Sequence, residues 1–311
     1  MREISLCKMG GLYRDDFDVK GFVFGSGKKS VCIVGPTRGN EYQQQFIASR
    51  IVKRLKELEA AGEINEGYEI MVVPSANPYS MNIKKKFWSI DSTDMNRMFP
   101  GRLDGVTTEL IAKNVYDATK DFEYGIQFAS LITSGSFLPH VRIFKSSLEY
   151  SESAIDFMMP YVVISEPHPE EKRTLNYSWQ QSGVKAFSIY STSTEEIDRN
   201  SAHLVLRSVL LFMKNRGIIK TEILGGYESE VLAENKDIIS VRTPAAGFFV
   251  SKVRVGFEVS KGDLLAEIHD PYTDEIISEI IAPVSGVVFF MHSTPMTYSH
   301  TAVLKLIVKN C

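Results

Sequence analysis

Apolar and polar residues follow two different rhythms along this chain. Through the first two thirds, short β-branched runs alternate with longer amphipathic stretches. Residues 30–34, Ser-Val-Cys-Ile-Val, form a continuous apolar run halted by Gly35-Pro36, as in a buried strand reaching its carboxyl end. Phe46, Ile47, Ile51, Leu55 and Leu58 then repeat at helical spacing, with Lys and Glu between them, and predict a helix over 41–60 ended by Gly62. Residues 68–74 predict the next strand and 75–78 the loop after it. A helix follows over 107–119 and a strand over 124–129. Another strand spans 186–190, and a long helix runs over about 195–214 to Gly217. Such alternation predicts an α/β domain: a mostly parallel or mixed sheet with helices on both faces.

Near Gly225-Gly226 the helical period gives way to short β-rich runs broken by Gly, Pro and Asp. Thr243-Pro-Ala-Ala-Gly-Phe-Phe249 is echoed by Ala282-Pro-Val-Ser-Gly-Val-Val288, with tight turns between them. The doubled Pro-x-x-Gly motif predicts a small all-β sandwich with internal pseudo-symmetry. The expected domains are therefore 1–225, α/β, and 226–311, all-β. This second module looks like the barrel-sandwich hybrids of biotinyl and lipoyl carriers. Lys261 sits in a turn but lacks a carrier's acceptor-lysine motif, so the module reads as a structural cap.

Composition narrows the class. The 311 residues are 44% hydrophobic and 23% charged, ordinary for a globular protein able to bury a core. A net charge of -3 offers no basic stripe for nucleic acid, and no apolar run approaches the roughly 20 residues of a membrane span. The start, Met1-Arg2-Glu3-Ile4, has no apolar signal core. Cys7, Cys32 and Cys311 are odd in number and lack metal-ligand spacing. A reduced, cytoplasmic, enzyme-like protein is expected.

Four segments carry the chemistry: Pro36-Thr-Arg-Gly-Asn-Glu41, Ser75-Ala-Asn-Pro78, Asp94-Met-Asn-Arg-Met-Phe-Pro-Gly101 and Leu138-Pro-His-Val-Arg142. In this order and spacing they resemble the succinylglutamate desuccinylase/aspartoacylase family of zinc carboxypeptidase-like hydrolases, and the C-terminal module resembles that family's appended β domain. The resemblance implies a Zn²⁺ held by a His-Gly-x-Glu loop and a later histidine, with a glutamate as general base on the metal's water. It also implies an Asn-Arg pair gripping an N-acyl amino acid. Neutral imidazoles and a carboxylate suit zinc, and metal and base share the work of making hydroxide.

The chain departs from that pattern at its centre. Arg38 stands at the first zinc histidine. Counting back from Arg142 puts the second at Ala129, with Gln127 where an aspartate is usual. Tyr190 stands at the general base. Glu41 alone is retained. A guanidinium has no lone pair and stays protonated, and a phenol with pKa near 10 is a poor base at neutral pH.

Three readings stay open: a salt bridge from Arg38 to Glu41 that plugs the lost metal site, Arg38 as a fixed positive charge that binds an anion, or a compensating site built from other residues. Asn96 and Arg97 match the substrate-carboxylate pair, Arg97 facing either a ligand or Asp94. Lys86 falls near a second cationic position, although three lysines in a row, Lys84-Lys85-Lys86, usually form a solvated loop. His140 and His168 read as surface histidines, and Ser134-Gly135-Ser136 as an active-site loop without a nucleophile elbow. Cys32, mid-strand, reads as a buried inert thiol.

The expected function is a degenerate family member that binds a small carboxylate-bearing anion, an N-acyl amino acid or peptide end, without zinc hydrolysis. No cofactor, nucleic acid or membrane is expected, and a homo-oligomer is compatible. The alternative is an active Zn²⁺-dependent deacylase with an unorthodox metal site that recruits His140 or His168.

Overall fold

The structure is a computed structural model describing residues 1–11, 16–130, 134–145 and 151–309. Cys311 lies outside the described residues. The chain forms two compact units, 1–130 with 139–231, and 131–138 with 232–311.

The first unit opens with β1 (Arg2–Met9), β2 (Phe17–Gly25) and β3 (Gly27–Val34), then α1 (Tyr42–Ala60), β4 (Gly67–Val73) and the short α2 (Pro78–Asn82). It continues through α3 (Thr107–Thr119) and β5 (Tyr124–Ala129), and after β6 (Gly135–Phe137), which belongs to the second unit, through β7 (His140–Phe144). α4 (Ser151–Ile155), β8 (Tyr161–Ser165), α5 (Leu175–Gln181), β9 (Lys185–Tyr190), α6 (Arg199–Asn215) and β10 (Glu230–Ala233) follow. Nine strands make one mixed sheet in the order β1-β2-β4-β3-β5-β9-β7-β8-β10. β3 is parallel to both β4 and β5, and β9 is parallel to β5. With covered faces on both sides, residues 30–34 are all buried, which is why that strand reads as an unbroken apolar run.

Helices cover both faces, as expected. Ile47, Ile51, Leu55 and Leu58 of α1 share one core with Val205, Val209 and Phe212 of α6. Ile111 and Val115 of α3 and Leu175 and Trp179 of α5 make the other. Gly125 is needed in β5, because a Cβ there would lie 2.5 Å from the Trp179 ring. The predicted helix over 195–214 begins later, at Arg199. Asp198 caps it, accepting from the N–H groups of Asn200 and Ser201 at 2.9 and 3.2 Å. The sequence pattern does not predict the antiparallel β1-β2 pair at the sheet edge, because a register shift between Ser5 and Cys7 interrupts its period-two alternation. No helix of the described residues is long and apolar enough to cross a membrane.

The second unit contains α7 (Glu234–Asp237), β11 (Ile238–Arg242), β12 (Gly247–Ser251), β13 (Glu258–Val259) and β14 (Leu264–His269). β15 (Ile276–Ile281), β16 (Gly286–His292), β17 (Met296–Thr297) and β18 (Ala302–Val308) complete it. One sheet runs β11-β18-β16-β13 with β6 on β16, the other β15-β14-β12-β17. The two Pro-x-x-Gly segments thus lead into one strand of each sheet, β12 and β16. Lys261 is exposed in the turn between β13 and β14.

Two expectations are corrected. Residues 135–137 are a strand, not a loop: β6 pairs antiparallel with β16, Phe137 opposite Phe290, and Phe137 buries its ring 4.7 Å from that of Phe290. His140 is not a surface histidine either. It is 3% exposed and stacks on Tyr190 across the β7-β9 pair, with ring centroids 4.7 Å apart. His168 is exposed, and Cys32 is wholly buried, with burial holding its thiol pKa well above the ordinary value.

Candidate functional site

β3, β5 and β9 are parallel neighbours, so their carboxyl ends lie side by side, with Ala129 paired to Tyr190. Residues 35–41 after β3, Ser130 after β5 and Tyr190 closing β9 are thereby gathered at the sheet edge where open α/β folds place ligands. Glu41 is the residue before α1. Its Oε2 accepts the backbone N–H groups of Thr37 and Arg38 at 2.8 and 3.0 Å. Its Oε1 accepts the Ser130 hydroxyl in a short hydrogen bond.

Arg38 lies across this carboxylate, 1% exposed. The expected pairing with Glu41 is present at 3.6 Å, but it is the longer of two ion pairs. The closer partner is Asp94, gripped through both oxygens: Nε to Oδ1 at 3.0 Å and Nη2 to Oδ2 at 2.7 Å. Nη1 reaches the carbonyl and hydroxyl oxygens of Ser130 at 3.5 and 3.4 Å. Burial by itself would lower the guanidinium's pKa. The hydrogen bonds to Asp94 and the charges of Glu41 and Asp94 outweigh it, so the pKa lies above the ordinary value. A forked pair of this kind is among the stronger charge-assisted contacts.

Asp94 is oriented by its own chain. It caps the 3-10 turn Met95–Arg97 by accepting the Asn96 N–H at 3.1 Å. Arg97, on that turn, is only 3.9 Å from the same carboxylate and donates to the Glu170 carbonyl at 2.9 Å. The Asn96 side-chain oxygen accepts from Gln127 at 3.0 Å, and Gln127 in turn accepts the Asn176 N–H. Lys86 is half-buried, unlike exposed Lys84 and Lys85. Burial, and behind it the positive charge of Arg38, pulls its pKa below the ordinary lysine value.

The geometry thus brings Arg38, Glu41, Asp94, Asn96, Arg97, Lys86 and Tyr190 to one edge, with Ala129 beside them as a strand end without a donor. Arg38 presents no donor outward, which favours the salt-bridge reading over direct contact with an anion. Sequence reasoning missed Ser130 and Gln127 as partners. The only signal was their position, one residue after and two before Ala129.

These residues do not fit a zinc ion. Zinc wants three or four lone-pair donors. Here one carboxylate has both oxygens taken, a cation lies against it, and among the described residues no three His, Cys, Asp or Glu side chains converge as a metal site.

The succinylglutamate desuccinylase/aspartoacylase catalytic-domain profile matches residues 27–214, and the chain belongs to that family. The fold is shared with a succinylglutamate desuccinylase from Silicibacter sp. TM1040, at 20% identity and a TM-score of 0.81 over 99% of this chain and 94% of that one. It is similar to an aspartoacylase family protein from Mesorhizobium loti, at 21% identity and 0.79 over 99% and 94% of the two chains. It is also similar to the product-bound ectoine utilization protein EutE of Ruegeria pomeroyi, at 20% and 0.77 over 94% and 90%. No curated protein matches the chain by sequence.

Proposed function

We propose that this chain is a non-hydrolytic member of its family. In this reading Arg38 takes the place of the metal, and Lys86 and Arg97, with Asn96, bind a small carboxylate-bearing molecule such as an N-acyl amino acid or a peptide end. One observation supports the reading: a buried arginine, forked onto Asp94, lies 3.6 Å from Glu41, the residue at the retained ligand position of the family pattern. Hydrolysis of an amide needs a polarised carbonyl and an activated water. The position expected to supply the base holds Tyr190, packed face to face on His140. Lys86 and Arg97 keep positive charge at the rim, each partly exposed. The protein works in a reducing, cytoplasmic setting, with the β unit as a barrel-sandwich cap.

The test combines metal content, turnover and binding. Zinc per chain on dialysed, untagged protein is expected near zero, with no hydrolysis of N-acetyl or N-succinyl amino acids. The same compounds are expected to raise the melting temperature through linkage. Because Lys86 loses its proton at a lower pH than an ordinary lysine, this stabilisation fades as pH rises toward that range, and Lys86→Gln flattens the profile. Zinc near one per chain, with turnover abolished by a chelator and by Glu41→Ala, would replace this reading with the active deacylase. A melting temperature unmoved by every N-acyl amino acid would overturn the ligand.

A further inference from the structure

A cavity of about 470 Å³ opens in the first unit beside α6, lined by Pro139, Thr192, Asn200, His203, Arg207 and Tyr227. That volume suits a small molecule, and none of Arg38, Glu41, Lys86, Asn96 or Arg97 lines it. Asn200, His203 and Arg207 stand three and four residues apart and so share one face of the helix. Leu204 adds an apolar patch between them.

Arg207 is the unusual residue. Among the described residues it makes no hydrogen bond or ion pair, and its Nε is buried without an acceptor. A guanidinium carries five donors and never gives up its proton, so this charge is held at the cavity with its Nε buried and unpaired. The chain keeps it there by close approach. Gly225 (φ +83°) passes so near that a Cβ would lie 3.0 Å from Arg207 Nη1. Tyr227 follows two residues on, its backbone N–H fixed to the Met158 carbonyl at 2.8 Å and its side chain 46% exposed at the cavity. Asp198 also lines the cavity. Its Oδ1 is committed to the helix cap, accepting two backbone N–H groups.

We propose that this cavity is a second binding site, for a small organic oxyanion: a carboxylate or phosphate monoester bearing an aromatic or aliphatic body. The oxyanion is received by the fork of Arg207, with Asn200 and His203 beside it. The body lies against Tyr227, Leu204 and Pro139.

The whole chain is titrated by calorimetry at low salt with inorganic phosphate, phenyl phosphate and benzoate. Saturable binding of phenyl phosphate or benzoate is expected, tighter than that of inorganic phosphate, and the preferred head group decides between the two sources. Arg207→Gln is expected to weaken it tenfold or more. Arg207→Lys, which keeps the charge and loses the fork, falls between and serves if the first variant does not fold. Tyr227→Ala, at an exposed ring, removes the advantage of the organic probes over phosphate. Lys53→Gln, on the exposed face of α1 and in neither site, leaves all three affinities unchanged. Absence of saturable binding by every probe overturns the proposal, as does equal affinity in wild type and Arg207→Gln, or a loss that follows Arg97→Gln instead.

Discussion

At the scale of single residues, the guanidinium of Arg38 decides the chemistry of the sheet edge. An imidazole offers a lone pair to a metal, whereas a guanidinium offers only donors and so collects carboxylates. Arg38 collects two, Asp94 closely and Glu41 at longer range. Buried charge of this kind is tolerated because it is paired, and removing one partner leaves the others uncompensated. Arg38→Met is therefore expected to cost about 3–5 kcal/mol, the usual cost of breaking a buried pair, read as a lowered midpoint in urea unfolding. An unchanged midpoint would mean that the cluster contributes little to holding this edge together.

At the scale of elements, the site depends on how closely two loops can approach. The loop leaving β3 runs against the α2 segment. A Cβ on Gly39 would lie 2.1 Å from the Lys85 carbonyl oxygen and 2.4 Å from the Ser80 carbonyl carbon. The contact is sealed by a hydrogen bond from the Gly39 N–H to the Lys86 carbonyl at 3.0 Å. Backbone cannot yield as the tip of a flexible side chain can, so Gly39→Ala should push the 80–86 segment outward. The expected result is a loss of about 1–3 kcal/mol, within the range of strained substitutions, together with faster amide hydrogen exchange at Gly39 and Lys85. Exchange rates equal to wild type would show that the loops do not need this approach.

At the scale of the whole molecule, the two cores are not consecutive in the chain. Residues 131–138 belong with the second unit although the chain returns to the first at Pro139. Phe137 packs 4.7 Å from Phe290 and 5.6 Å from Phe289 in the same unit. Phe137→Ala should cost about 3–5 kcal/mol, as buried aromatic truncations do, and do so in the β unit. Near-ultraviolet circular dichroism and a separate, earlier thermal transition would register it. A single transition at the wild-type temperature would contradict that placement.

Much of this was legible in the sequence because it is local. The apolar run of β3, the helical stripe of α1 and the residue types at 38, 41, 129 and 190 are properties of short segments. The elements they predict differ from the structure mainly at their ends, as where the Asp198 cap delays α6. Tertiary structure decided the rest, because it concerns choices among distant partners. Arg38 could have turned to Glu41, three residues away, or outward to an anion. It turned to Asp94, 56 residues on, because the 3-10 turn presents both carboxylate oxygens to the guanidinium fork. Lys86 became half-buried among three lysines alike in sequence, and His140 slid face to face onto Tyr190 because β7 runs antiparallel to β9. The sequence by itself determined the layered α/β frame and the residue types at 38, 41, 129 and 190; which charges pair there was decided only where strands remote in the chain end side by side.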